Sequence, residues 1–343
     1  MWEPLSLDPS DQRWMYFITS QQQASLFHHP VWINLIAESY AYRPFVLVVV
    51  NKHGEIEAGV PLMEVKVPLS DKRWVSLPFT DHCTPLYNSE EALKFLAASL
   101  FELSHNGRIR NVELRWIYPS FPEIQTYSDF VLTRLNLTYG EHQIASQIKP
   151  KHFRQIKVAY QRGVRIESGN DVEHLRKFYS LHLQTRRRLG IPIQPWSFFK
   201  RMAESILESG YGFVLLAYKE KVCVAAAVFL HWNRTLIYKY SASTKESRHL
   251  LAMDPILWTA ICWGCERDFH WMDMGRTNQD EKGLRNFKLR WGAEELPLLY
   301  SASPVRSESI LQSKLMPLMQ TIIKKSPLWV CRLAGELFYR YFG

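Results

Sequence analysis

The stretch GRTNQDEKGLRNFKLRWGAEELPLLY, residues 275–300, sets Arg276 directly after Gly275 and places Lys288 between Phe287 and Leu289. Before it, WMDMG reads as a strand that ends at Gly275-Arg276, where α/β folds tend to place ligand sites. Fixed cations at such an edge suit an anionic group. Asp273 alternates with Gly275 along the strand, so it can reach the same side. It could serve as a base, orient Arg276, or form a simple salt bridge. A polar loop then carries the chain to Phe287 and Lys288, Trp291 suits packing, and PLLYS reads as the closing strand.

Other candidates are scattered. LPFTDHCTPLY clusters Asp81, His82 and Cys83 in a loop after a strand. Neighbours on an extended chain point to opposite sides, which favours a substrate-positioning loop or an ordinary turn over a Cys–His pair. Arg186-Arg187-Arg188 closes a helix; arginine forks suit phosphates, and cations at a helix C-terminus also stabilise it. Lys149 to Arg165 holds six cations and no acid, on what reads as a solvated helix face. Cys262-Trp-Gly-Cys265 falls mid-helix with no second ligand pair, so buried thiols are expected there rather than zinc or redox chemistry. No Walker loop, GxGxxG, GxSxG or metal-ligand spacing occurs, and no metal is expected.

The elements that must position these residues are legible. At 343 residues the chain suits two medium domains. Residues 1–146 read as mixed α and β, with a strand–turn–strand around Asn51–Gly54. A helix there is capped by Ser89, buries Leu93, Leu96, Leu100 and Leu103 on one face, and ends at Gly107. Residues 147–305 alternate strands and helices: one helix ends at Gly190, one starts after Pro195, and one has Asp254 as cap and Pro255 at its first position. Residues 306–343 form a basic amphipathic tail, six Lys/Arg against two acids, expected to dock on the second domain or to lie on a membrane surface.

A net charge of +9 favours anionic partners. Five scattered cysteines, no visible signal peptide and no apolar run of bilayer length predict a cytoplasmic chain, with contact at the inner face of the membrane through 306–343.

Read in order, KHFRQIKVAYQRGVRI, QTRRRLGIPIQPWSFFKRM, KVCVAAAVFL, YKYSAS and WMDMGRTNQDEKGLRNFKLRWGAEELPLLY resemble the FemAB-like branch of the GNAT acyltransferase superfamily, nearest to its exopolysaccharide and PEP-CTERM-associated type. PVWINLIAESY, GEIEAGVPLMEV and WVSLPFTDHCTPLY resemble the N-terminal portion, and the likeness spans roughly residues 25–302. It implies an α/β (α+β) mixed-sheet fold of two tandem GNAT-like domains plus the helical tail. It also implies transfer of an acyl or aminoacyl group to an amine of a cell-envelope, peptidoglycan or polysaccharide precursor. The co-substrate would be acyl-CoA or aminoacyl-tRNA, with no tightly bound cofactor and an anionic or lipid-linked acceptor.

By its place in the matched motif, Lys288 is the cation expected to face the developing oxyanion, with Phe287 and Asp273 beside it. Gly275, Arg276, Arg187, Arg188, Arg248, Asp81 and His82 are the expected substrate or donor contacts. One departure matters. The glycine-rich loop that holds the pyrophosphate in CoA-using GNATs corresponds here to SASTKESRHLLAMDP, which has no glycine; Lys245 and Arg248 would have to meet phosphates from side chains. Two rivals come from other classes. A catalytically idle GNAT-like scaffold at the membrane would fit the tail and the missing glycines, and a basic RNA-binding module would fit the charge and aromatics.

Overall fold

The computed structural model describes residues 2–66, 72–107, 109, 111–118, 124–303 and 319–342. They divide into two compact units, one running up to Val131 and taking the strand that passes Pro297, the other running from Leu132 to Leu296 and taking the C-terminal helices.

The first unit contains β1 (Glu3–Leu7), α1 (Gln12–Ser20), α2 (Pro30–Tyr40), β2 (Arg43–Val50), β3 (Ile56–Val65), β4 (Arg73–Val75), β5 (Leu86–Tyr87), α3 (Glu90–Asn106) and β6 (Asn111–Leu114). β2 and β3 are an antiparallel hairpin, and β4 joins β6 in parallel. The expected Ser89 cap is present, its hydroxyl accepting from the Ala92 N–H at 3.2 Å. Leu93, Leu96 and Leu100 are buried, whereas Leu103 at the end of the same face is exposed.

β7 (Gln125–Asn136) carries the chain into the second unit. There follow α4 (Gly140–Gln147), α5 (Pro150–Gln161), β8 (Val164–Gly169), α6 (Val172–Leu189), α7 (Trp196–Met202), β9 (Gly212–Lys219), β10 (Val222–Trp232), β11 (Thr235–Ser243), α8 (Ser247–Leu250), α9 (Met253–Cys265), β12 (Trp271–Asn278) and α10 (Lys282–Leu289). β13 (Glu294–Ser303) returns to the first unit and pairs antiparallel with β6. In the second unit the strand order is β7-β12-β11-β10-β9-β8. β9, β10 and β11 form an antiparallel meander, and β11 pairs with β12 in parallel. The core lies where Ala225, Ala227 and Phe229 of β10 meet Ile256, Leu257, Ala260 and Ile261 of α9. The short alanines let the helix lie close to the sheet.

After the undescribed residues 304–318, which take in Pro317 and the start of the predicted tail, come α11 (319–325) and α12 (Leu328–Phe338). No described helix is long and apolar enough to cross a membrane. Among the described residues no cluster of three or more His, Cys, Asp or Glu could hold a metal ion.

Two local expectations are corrected. Phe287 and Lys288 lie on a helix, α10, rather than at the end of a loop, and β12 continues through Arg276 to Asn278. Asp254 does not cap α9. The helix begins at Met253, two residues earlier than expected, with no side-chain cap, and Asp254 sits buried in its first turn.

Candidate functional site

The parallel ladder between β11 and β12 is short. It pairs Thr235 with Trp271, Leu236 with Met272 and Ile237 with Asp273. It ends there, while β11 runs on to Ser243 and β12 to Asn278. Two parallel strands that part at their carboxyl ends leave a crevice of the kind in which open α/β sheets bind ligands. A cleft of about 740 Å³ lies at the end of β11, lined by Ser243 together with Arg248, Asp254, Glu281, Phe287 and Arg290 among others.

Just beyond the last ladder pair, Gly275 takes φ 72° within β12, a left-handed value that a side chain would strain. The local turn is pinned from both sides. Asp273, 2% exposed, accepts the Gly275 N–H on Oδ1 at 2.7 Å. Lys288, 3% exposed, directs Nζ to the Gly275 carbonyl at 2.8 Å, to Thr277 Oγ1 at 2.7 Å and to the Arg276 carbonyl at 3.3 Å. An ammonium has three donors, and three acceptors are present. The lysine side chain is thus anchored at the strand edge. The longest of its contacts, to Arg276, is the one an incoming oxygen could displace most readily.

α10 is oriented by a bidentate ion pair: Arg285 Nη2 to Glu295 Oε2 at 2.7 Å and Nε to Oε1 at 3.0 Å. With Lys288 directed at β12, Phe287, about 100° round the helix, lines the cleft. Arg290 stacks over the Phe287 ring at 4.5 Å and forms an ion pair with Asp254. Burial pushes the Arg290 guanidinium below its usual range, which makes this partner important to it. Sequence reasoning missed this pair; the i, i+3 spacing of Phe287 and Arg290 was the one signal available.

The stretch from Ser243 to Asp254 folds as a compact turn around α8. Its N–H groups bond within the turn: Arg248 to Lys245 O, His249 to Glu246 O, Leu251 to Arg248 O, Ala252 to Ser247 O and Asp254 to Leu251 O. Leu251, at φ 57°, takes the left-handed conformation a glycine would take more easily. These backbone donors are therefore engaged rather than turned toward a ligand.

Of the remaining predicted residues, Arg248 lines the 740 Å³ cleft. Arg187 and Arg188 line a neighbouring one of about 450 Å³ with Lys245 and Lys324. Arg188 also donates to the Ser243 carbonyl at 3.0 Å, which ties the end of α6 to the end of β11. Asp81 and His82 belong to the first unit. The Asp81 carbonyl accepts from the Tyr300 hydroxyl, and the His82 ring meets Phe27 edge-on at 5.6 Å. Leu77 and Phe79, at φ 60° and 61°, hold this loop in a strained shape. Cys83 beside it is fully buried, and burial raises its thiol far above the usual range. Burial likewise pushes Cys262 up to about 12 and Cys265 up to about 11, so neither is a ready thiolate.

Residues 151–283 match the family described as acetyltransferase (GNAT) domain. Among solved structures, FemX is similar over 93% of this chain and 100% of its own, with a TM-score of 0.69 at 15% identity. L-PGS from Bacillus licheniformis is similar over 93% of this chain and 99% of its own, with a TM-score of 0.55 at 12% identity. A tandem GNAT protein from the clavulanic acid biosynthesis pathway is similar over 90% of this chain and 100% of its own, with a TM-score of 0.52 at 10% identity. No curated protein sequence matches the chain. At such identities these structures establish a shared fold.

Proposed function

We propose that this chain, which carries a GNAT domain within a FemX-like fold, transfers an acyl or aminoacyl group to an amine of a cell-envelope precursor. The observation that carries the reading is the parting of β11 and β12 beside the anchored Lys288, with an open cleft at the end of β11.

In the proposed reaction the acceptor's neutral amine attacks the acyl carbon. The bond from that carbon to the donor's oxygen or sulfur breaks, and the amine gives up a proton. Lys288 supplies positive charge near the developing oxyanion, with Asp273 as a positioning residue that holds the Gly275 turn. Phe287 forms an apolar wall. Two carboxylates line the cleft. Asp254 is neutralised by Arg290, so Glu281 is the better candidate for taking the amine's proton. Arg248, Arg187 and Arg188 are assigned to anionic parts of donor or acceptor, a role that Arg276 at the strand edge would share.

The test is an amine-acylation assay offering acetyl-CoA and an aminoacyl-tRNA in parallel, with muropeptide and amino-sugar acceptors. Glu281→Gln should lower turnover by on the order of 10²-fold. No transfer from either donor, or full turnover in both Glu281→Gln and Arg248→Ala, would sink the reading.

A further inference from the structure

We infer that α11 and α12 form a docking face for an anionic lipid surface. The inner side of α12 is fixed to the second unit. Glu336 accepts the Trp196 N–H at 2.7 Å and the Ser197 hydroxyl at 3.0 Å, at the start of α7. Cys331 is buried, and Gly335 lies so close to the Ile193 carbonyl that a Cβ there would collide with it. The rotation of the helix is therefore set, and so is the face it turns outward.

That outward face is apolar. Trp329, Leu333 and Leu337 recur at i, i+4 and i+8 and are 68%, 51% and 52% exposed, with Ile322 of α11 at 54%. Four large side chains on one short segment, three of them in register, form a stripe rather than scattered exposure. The segment around them carries Lys324, Lys325, Arg332 and Arg340 against one acid, Glu336, which is already engaged in holding α12 down. An apolar stripe bordered by cations, with a tryptophan at one end, matches a helix lying in the headgroup layer of an anionic bilayer. A second copy of the chain would bring the same cations against one another.

Length agrees. Eleven residues of helix span about 16 Å, roughly half of a bilayer's hydrocarbon thickness, so α12 can lie on a membrane but not cross it. A basic cleft opens beside the same helices: Lys324 and Leu328 share its wall with Arg187, Arg188 and Lys245. The buried Nε of Arg187 has no acceptor among the described residues. Headgroup phosphates at the docked surface would meet this cleft.

The inference does not depend on the transfer reading, and vesicle co-sedimentation of the full chain tests it. The chain should pellet with vesicles of equal parts phosphatidylcholine and phosphatidylglycerol and stay in solution with phosphatidylcholine alone. Arg332→Glu should weaken the partition at least about fivefold, the effect of losing one juxtamembrane cation, and added salt should release the protein. Leu333→Glu should abolish binding without altering the melting temperature. Three results would overturn the idea: no pelleting with either vesicle, equal pelleting with both and indifference to Arg332→Glu, or a dimer by light scattering that Leu333→Glu dissociates. A lowered melting temperature in Leu333→Glu would shift the decision to Arg332→Glu, whose side chain is exposed.

Discussion

Lys288 and Gly275, thirteen residues apart, are joined by an ammonium-to-carbonyl hydrogen bond of 2.8 Å, and the same ammonium reaches Thr277 Oγ1 and the Arg276 carbonyl. The side chain is thus a clamp on β12, on which Arg276 is carried. Lys288→Met keeps the stem but leaves buried acceptors without a donor, at a cost of about 1–3 kcal/mol. Under the proposed mechanism turnover should also fall on the order of 10²-fold. Thr277→Val takes one acceptor from the buried Lys288 and should also cost about 1–3 kcal/mol, but it keeps the amine at the strand edge. Urea unfolding and the transfer assay, run on both variants, separate clamp from catalyst. A Lys288→Met enzyme that is destabilised yet turns over normally would leave only the clamp.

Asp254 and Arg290 make a second linkage, between the first turn of α9 and the end of α10, with Phe287 under the guanidinium. Both members are largely buried, so removing one strands the other. Asp254→Leu and Arg290→Met should each destabilise by about 3–5 kcal/mol, while the two together should come close to wild type. Denaturation midpoints of the singles and the double, read as a cycle, give the answer. Additive losses would mean the pair is not coupled.

The contrast between these two sites marks how far the sequence could be read. Ser89 as cap, Gly190 as the end of α6 and the β2–β3 turn were legible because each depends on residues a few positions apart. The cluster around Gly275 was legible in composition, since Asp273, Gly275, Arg276 and Lys288 sit in one stretch. Its form was not. The polar run before Phe287 looks like loop, yet α10 forms because Arg285 is held by Glu295 and Lys288 by β12. Asp254 has the look of a helix cap from its neighbours alone. Its actual partner, Arg290, lies 36 residues away, and no local pattern points to it.

Acid should destabilise the fold through buried histidines. His182 stacks on Phe178, and its Nε2 lies 3.2 Å from Gln194 Oε1; burial and nearby Arg186 push its pKa down to about 3. Burial likewise lowers His28 to about 4, with its Nε2 against the Thr84 carbonyl at 2.8 Å. With folded values below the unfolded ~6.5, the unfolded chain binds more protons in between, so stability rises with pH across that window. The contribution is complete above about pH 6.5 and is lost as pH falls toward about 4 and then 3, at ~1.4 kcal/mol per unit for each group. Chemical denaturation at stepped pH should show this decline. His182→Gln, whose side chain takes up no proton, should make it shallower, and an unchanged slope would remove His182 from the account.

The turn around α8 yields the prediction about the donor. CoA-using GNATs hold the pyrophosphate on backbone N–H groups of a glycine-rich loop, but here the corresponding N–H groups bond within the turn. Arg248 is left as a side-chain contact at the cleft wall. Acetyl-CoA should therefore bind weakly by calorimetry, with no better than roughly millimolar affinity, about −4 kcal/mol. S-Acetylpantetheine, which lacks the diphosphate, should bind about as well. Arg248→Ala should reduce whatever affinity for acetyl-CoA is measured. Micromolar binding of acetyl-CoA that disappears when the diphosphate is removed would show that the turn opens to receive it, and would make acyl-CoA the donor.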